Sequence, residues 1–317
     1  MIGLDQNSMS FQWTSQGAAA WERLLGRTTH ANWMQSWSYA KAVQARDQKS
    51  TRIAIICKNK RELGVVAIQE IRLGPIHFLE IQRGPLWFEP VTWDLFLEFA
   101  QLLRQTFPRR FLRRLRWLPE WPDEAGKVQD LLHLGFQKRP QIYETVFLNL
   151  RQPLSDIRNQ LHGKWRNGLH KAERANLGLV TDFKGEKISE FLFQYHKYKI
   201  SKGFLGPSPE FMRQEFLAAQ KFEKSFLLIA EKAGQSIAGI MIMMHGPCGS
   251  YRIGWNSEQG KKDNAHSLLL WKAVELLREK GFSEFDLGGV KTTESPGVTH
   301  FKLGMGGRHI RLIGLFS

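Results

Sequence analysis

The residues best suited to chemistry lie near the end of the chain. Gly281-Phe-Ser-Glu-Phe-Asp-Leu-Gly-Gly289 holds a short apolar strand, Phe282 to Leu287, that ends on a glycine pair. A polar loop over 291–299 follows. His300-Phe-Lys-Leu-Gly-Met-Gly-Gly307 then sets one lysine between an aromatic ring and a second glycine-rich turn. Adjacent glycines permit positive φ and close approach of a ligand to the backbone. A lysine fixed beside such turns can meet an anion or a developing oxyanion. The plainer alternative is a strand–loop–strand connection with Lys302 on the surface.

The elements that must position this lysine occupy the whole chain. Its 317 residues suffice for one large domain or two ordinary ones. With 42% hydrophobic residues and 12% aromatics it can bury a core, which excludes a disordered chain. No run of eighteen apolar residues exists to span a bilayer, and Met1 to Ser10 has no basic-then-apolar leader pattern. Cys57 and Cys248 read as buried free thiols, and the ten histidines never fall at metal-ligand spacing, so no metal is assigned. These features point to the cytoplasm. The net charge of +15 favours polyanions: tRNA, nucleotide-sugar phosphates or the anionic inner leaflet of the membrane. The densest basic run is Arg104, Arg109, Arg110, Arg113, Arg114 and Arg116, whose later part alternates with Leu112, Leu115 and Trp117 as a strand with one basic face.

In the first half the periodicities predict a helix over 32–45, a hairpin from 52–57 and 63–70, and a strand over 78–82. A helix over 92–106 with Thr92 or Asp94 near its cap follows, then the basic strand, a short helix over 126–135 and a strand over 141–150. The second half repeats the plan. It opens with a long helix over 156–176 and a strand over 179–182, then helices over 186–201 and 208–221. A strand meander (226–231, 236–244, 250–255), a helix over 264–280 and closing strands over 282–287 and 309–316 complete it. This is an α+β order with mixed, mostly antiparallel sheets.

The pattern D-L-G-G, a polar loop, then F-K-x-G-x-G-G resembles the signature of the FemABX family, aminoacyltransferases of peptidoglycan cross-bridge synthesis. Arg166-Asn-Gly-Leu-His-Lys-Ala-Glu-Arg-Ala-Asn-Leu-Gly-Leu-Val180 resembles the same family. So do Tyr251-Arg-Ile-Gly-Trp-Asn-Ser257 running into Ala265-His-Ser-Leu-Leu-Leu-Trp271, and Arg83-Gly-Pro-Leu86. The match covers nearly the whole second half in order and the first half more loosely. It implies two tandem GNAT-like domains, residues 1–150 and 151–307, with the last strand, 308–317, returning to the first.

GNAT-like units usually hold acyl-CoA pyrophosphate on a glycine-rich loop at a helix N-terminus. Between Trp255 and Ser267 only Gly260 supplies a glycine, although Lys261 and Lys262 could still meet a phosphate. The resemblance implies aminoacyl-tRNA as donor and no cofactor. It gives Lys302 the oxyanion and Phe301 the exclusion of water. It sets Lys41, in Trp37-Ser-Tyr-Ala-Lys41, and Lys202, before Gly203, against the phosphates of a nucleotide- or lipid-linked peptidoglycan precursor. Arginine is usual at the second place, and lysine lacks its bidentate fork. The tRNA would meet the basic faces that include Arg113, Arg116, Lys164, Arg166, Lys171 and Arg174. The family's L-R-x-D-P aspartate is replaced: Leu115-Arg-Trp-Leu-Pro119 puts Leu118 in its place, with Glu120 two residues on. No residue is assigned as general base, Asp286 reads as a structural carboxylate at a strand end, and His300 is the one histidine placed near the site. Two rivals remain: a GNAT-type N-acyltransferase using acyl-CoA or acyl-carrier protein, and a non-catalytic basic module binding RNA or the inner membrane leaflet.

Overall fold

The structure, a computed structural model, describes residues 8–14, 17–290 and 296–317. Most of the N-terminal segment over 1–10, and residues 291–295 of the polar loop, lie outside the described residues. The chain divides into two compact units, Met1–Tyr143 with Arg311–Ser317, and Glu144–Ile310.

The first unit runs β1 (Ser10–Thr14), α1 (Ala18–Gly26), a 3-10 turn (Trp33–Gln35), α2 (Trp37–Asp47), β2 (Ser50–Lys58), β3 (Arg61–Leu73) and β4 (Ile76–Gln82). It continues through β5 (Leu86–Trp87), α3 (Trp93–Thr106), β6 (Arg113–Leu118), α4 (Lys127–His133) and β7 (Lys138–Arg139). The second unit runs β8 (Glu144–Asn149), α5 (Leu154–Gln160), α6 (Gly163–Glu173), β9 (Gly178–Asp182), α7 (Ile188–Lys202), α8 (Pro209–Gln220) and β10 (Ser225–Lys232). It continues through β11 (Gln235–His245), β12 (Cys248–Asn256), α9 (Glu258–Lys262), α10 (Ala265–Glu279), β13 (Glu284–Val290), α11 (Pro296–Leu303) and β14 (Arg308–Arg311). The chain closes with β15 (Leu315–Phe316), a strand of the first sheet.

The first sheet has the order β1-β2-β3-β4-β6-β15-β7, with β5 beside β3; the second has the order β14-β8-β13-β12-β11-β10-β9. Among the described pairings each is largely antiparallel, with a parallel pair at β4/β6 in the first and at β12/β13 in the second. In the first unit α3 lays Phe96, Phe99 and Leu103 onto Ile56, Val66, Ile81 and Trp117. Thr92 starts that helix, its side chain accepting from Leu95 N. In the second unit Leu269, Leu270, Ala273, Val274 and Leu277 of α10 bury one face of the helix against β10 and β11. β11 is buried from Ile237 to His245, as a central strand covered on both faces must be. No helix among the described residues is long and apolar enough to cross a membrane.

Several expectations are corrected. The strand expected over 141–150 pairs with β13 in the second sheet, so the division falls at Tyr143/Glu144 rather than at 150. The closing strand over 309–316 is two strands, β14 in the second sheet and β15 in the first. The helix expected over 32–45 begins at Trp37, because Ser36 caps it by accepting from Tyr39 N. The long helix over 156–176 is broken. Leu161 and His162 take extended ψ values of 132° and 148°, which buries Leu161 and frees His162 N to donate to Gly304 O at 2.9 Å. α9 and α11 form in stretches where the sequence pattern predicts loop or turn. Cys248 is buried, but Cys57 is only half-buried.

Candidate functional site

In the second unit, β12 and β13 start side by side and then part. Their parallel pairing covers only Cys248–Ser250 against Glu284–Asp286, although both strands run on. Both carry an irregularity at that point. The β11/β12 register shifts opposite Tyr251 and Ile253, and the β13/β8 register shifts between Asp286 and Gly289. Bulges re-aim side chains and end pairing. Gly288 makes the second possible: its φ is +76°, and a Cβ there would lie 2.9 Å from Tyr251 O and 3.5 Å from Lys302 Nζ. Buried Asp286 pins the bend by accepting from Gly288 N at 2.8 Å and from the Thr145 hydroxyl. It is a structural carboxylate, as expected, but within the strand rather than at its end.

Lys302 fills this fork. It is not on the surface: α11 carries it inward, and only 7% of it is exposed. Its Nζ donates to Gly289 O at 2.8 Å and stands 5.5 Å from the centre of the Tyr251 ring. Burial pushes its pKa down to about 8, against the opposing pull of Asp286. Such an ammonium is mostly charged at neutral pH and is held by a carbonyl and a ring face, so it can shift to a better acceptor.

Phe301 is partly exposed. Its ring lies 5.9 Å from that of Trp165 on α6 and 6.5 Å from that of His266 on α10. His266 is a histidine to which the sequence alone assigns no role. Burial drives its pKa to about 4, a backbone hydrogen bond with Gly239 opposing, so the ring is neutral. Its Nε2 is buried without a hydrogen-bond partner meeting normal geometry. A Cβ at Gly254 would fall 2.9 Å from that nitrogen and 2.6 Å from the Tyr251 hydroxyl. Burial and the neighbouring Tyr198 and Tyr195 push the Tyr251 phenol up, so it stays a neutral donor. His300, placed near the site by sequence, is exposed on α11. A signal for His266 and Tyr251 existed, since both stand in the stretches Ala265–Trp271 and Tyr251–Ser257, but nothing local gave them roles.

The glycine-rich turn after Lys302 has another purpose than expected. Gly306, at φ +76°, leaves no room for a side chain beside Gln160 O, only 2.2 Å from where its Cβ would be. The turn is a packing joint against α5, not a ligand cradle.

The segment 256–266 also offers no phosphate cradle. Ser257 Oγ accepts from Gly260 N at 3.0 Å, a Cβ at Gly260 would meet Ile237 O at 2.5 Å, and Lys261 pairs with Glu258.

The other expected residues are dispersed. Lys41 is exposed on α2 in the first unit, its Nζ 4.7 Å over the Trp37 ring and bonded to Gln44. Lys202 ends α7 in the second unit, 3.8 Å from Glu258. On α6, Lys164 and Lys171 are exposed, as is Arg174 at its end, whereas Arg166 donates to the carbonyls of Asn159 and Leu161 and closes α5. On β6, Arg116 is exposed and 3.7 Å from Glu80, while Arg113 is half-buried and donates to Pro108 O. Leu118 is buried at the end of β6. Glu120 is sealed in the first unit: Arg83 grips it through Nε and Nη2 at 2.7 Å each, and His30 meets it at 2.9 Å. Burial alone would raise its pKa, but Arg83 and His30 overcome this and hold it at about 2. It is not the missing base.

No family model and no curated protein matches the sequence. Among solved structures the chain is similar to FemX, with a TM-score of 0.78 at 14% identity over 96% of both chains. It is similar to the C-terminal domain of a putative lysylphosphatidylglycerol synthetase from Agrobacterium fabrum, with a TM-score of 0.54 at 14% identity, covering 93% of this chain and 91% of that one. It is also similar to a tandem GNAT protein from the clavulanic acid biosynthesis pathway, with a TM-score of 0.50 at 11% identity over 98% of both chains. At these identities the likeness concerns architecture. The chain has a FemX-like fold, two GNAT-type units in one polypeptide.

Proposed function

We propose that the chain is an acyltransferase that moves an amino acid from aminoacyl-tRNA to an amine on a peptidoglycan precursor, with the fork between β12 and β13 as the reaction site. The observation that carries this reading is Lys302, a buried ammonium in a fork between two strands that have stopped pairing with each other, held by one backbone carbonyl. The acceptor nitrogen bonds to the ester carbonyl carbon, the C–O bond to the tRNA ribose breaks, and the proton lost by the amine ends on the departing ribose oxygen. The charge that develops on the carbonyl oxygen needs a fixed donor in a dry site. Lys302 supplies the donor, and Phe301 with Trp165 walls the site. Since Glu120 is locked and Leu118 is apolar, the proton transfer is assigned to the substrates themselves.

A tRNA donor is favoured over acyl-CoA because the segment 256–266 spends its turn on Ser257 and Gly260 instead of leaving backbone N–H groups for a pyrophosphate. The exposed cations Lys164, Lys171 and Arg174 are the tRNA phosphate contacts in this reading, with Arg116 as a further candidate. Lys41 and Lys202 remain candidates for the precursor's phosphates.

The test offers labelled aminoacyl-tRNA and labelled acyl-CoA in parallel, with nucleotide-linked and lipid-linked precursors as acceptors. Label moving from tRNA in the wild type and lost in Lys302→Ala supports the proposal. Label moving only from acyl-CoA, or from tRNA at equal rates in both proteins, contradicts it.

A further inference from the structure

Arg116 aside, one surface of the first unit has no part in this chemistry. Between Phe99 and Pro119 the chain carries six arginines and no acidic residue. Residues 107–112 form the loop from α3 to β6, and its tip is Phe111, 86% exposed. The β3–β4 hairpin lies against this loop, with His77 N donating to Leu112 O at 2.9 Å. The register pairs Leu73 with Ile76, Ile71 with Phe78, and Phe78 with Arg114. Residues on one face of a sheet alternate, so these apolar side chains share the face of Arg114 and Arg116. Leu73 is 56% exposed and Phe78 40%.

Four of these arginines are not neutralised, whereas Arg116 lies 3.7 Å from Glu80. Among the described residues Arg109, Arg110, Arg113 and Arg114 make no ion pair. Arg113 and Arg114 instead donate to the Pro108 and Phe111 carbonyls, which holds the tip in place. Burial and neighbouring Arg109 bring Arg104 down to about 10, and burial with Arg110 and Arg72 lowers Arg113. Like charges gathered this closely want an anionic partner. Beside them is a shallow groove of about 600 Å³ between Phe107, Arg109, Arg113 and Arg139.

We propose that the 107–112 loop and the tip of the β3–β4 hairpin dock the protein on an anionic lipid bilayer, with Phe111 and Leu73 entering the interface and the arginines lying among the headgroups. Exposed apolar tips ringed by cations are the chemistry of such a surface. A nucleic acid would satisfy the arginines and could stack a base on Phe111. It gives Leu73 and Phe78 no comparable contact, which favours the bilayer. This assigns Arg113 to lipid rather than to tRNA.

The test is co-sedimentation of the full chain with vesicles of pure phosphatidylcholine and of equal parts phosphatidylcholine and phosphatidylglycerol, with uncharged tRNA as competitor. The expected result is binding to the anionic vesicles only, weakened but not abolished by salt. Phe111→Ser should reduce the partition about tenfold while Phe111→Leu retains it. Arg109→Ala with Arg110→Ala should remove the preference for phosphatidylglycerol, with circular dichroism unchanged throughout. The proposal is overturned by no binding to anionic vesicles, by equal binding of wild type and Phe111→Ser, or by tRNA displacing the vesicles with Phe111 and Leu73 irrelevant.

Discussion

Both units contain the same local device, a parallel strand pair joined through a helix: β4–α3–β6 in one, β12–α10–β13 in the other. In the first unit the pair is zipped along six residues, His77–Gln82 against Arg113–Leu118. In the second it opens after three. The charges at the two ends differ accordingly. Past the closed pair, fully buried Arg83 is matched by a carboxylate, a phenol ring and hydroxyl, and Glu120 is matched in turn by His30 and Asn32. In the open pair, Lys302 has a carbonyl and a ring face, and makes no ion pair among the described residues. A buried charge with a full set of partners stabilises a shape. One held by a single carbonyl has capacity left for a ligand.

Breaking the closed end should produce the largest effect. Glu120→Ala strands the Arg83 guanidinium in the core and should cost about 3–5 kcal/mol of stability in denaturant unfolding. The chemistry in the second unit should survive in whatever fraction stays folded. If the variant unfolds like wild type, the two ends do not differ as described.

Lys302→Ala should do the reverse. It should lower the transfer rate about a hundredfold to a thousandfold with little change in stability, since one oxyanion donor is worth that much. A few-fold loss in single-turnover assays would make Lys302 a packing residue.

Gly288→Ala tests whether the fork must stay open. A side chain at φ +76° and 2.9 Å from Tyr251 O forces the strands to shift, a strain of about 1–3 kcal/mol. Transfer should fall more than melting temperature; a fall in melting temperature alone would sink the point. The smallest effect belongs to the surface of α6. Lys171→Ala should weaken tRNA binding modestly and reduce the salt slope by about one unit, and an unchanged slope would remove this face from the RNA footprint.

Much of the architecture could be read from local pattern. The hairpin of β2 and β3, the Thr92 cap, the amphipathic face of α10 and the strand ending in the glycine pair all follow from spacing that repeats over a turn or a strand. α11 could not be read that way. Its eight residues, beginning Pro296-Gly297, are too short for a period and open with two poor helix formers. The break at Leu161 and His162 is set by what they reach elsewhere, the core and Gly304. The allocation of β8 to the second sheet is likewise a pairing between residues 135 or more positions apart, such as Leu148 with Phe285. Lys302 could be named from the motif, but its burial could not, because lysines are rarely inside. The fork itself is a difference between two pairings, and no single stretch of sequence carries it.

The proposed reaction rests on the Lys302 ammonium as the donor in the open fork. Its most direct test is the pH dependence of kcat/KM for the aminoacyl donor in wild type and in Lys302→Arg. Lys302 loses its proton as pH rises through about 8, so a charged donor is present below that value and lost above it. The account predicts a descending limb near pH 8 in the wild type. In Lys302→Arg the limb should move far upward, because a guanidinium keeps its proton, while any rising limb from the acceptor amine stays common to both. A wild-type rate that climbs through pH 8 and levels off, or a descending limb unmoved by the arginine, would contradict it.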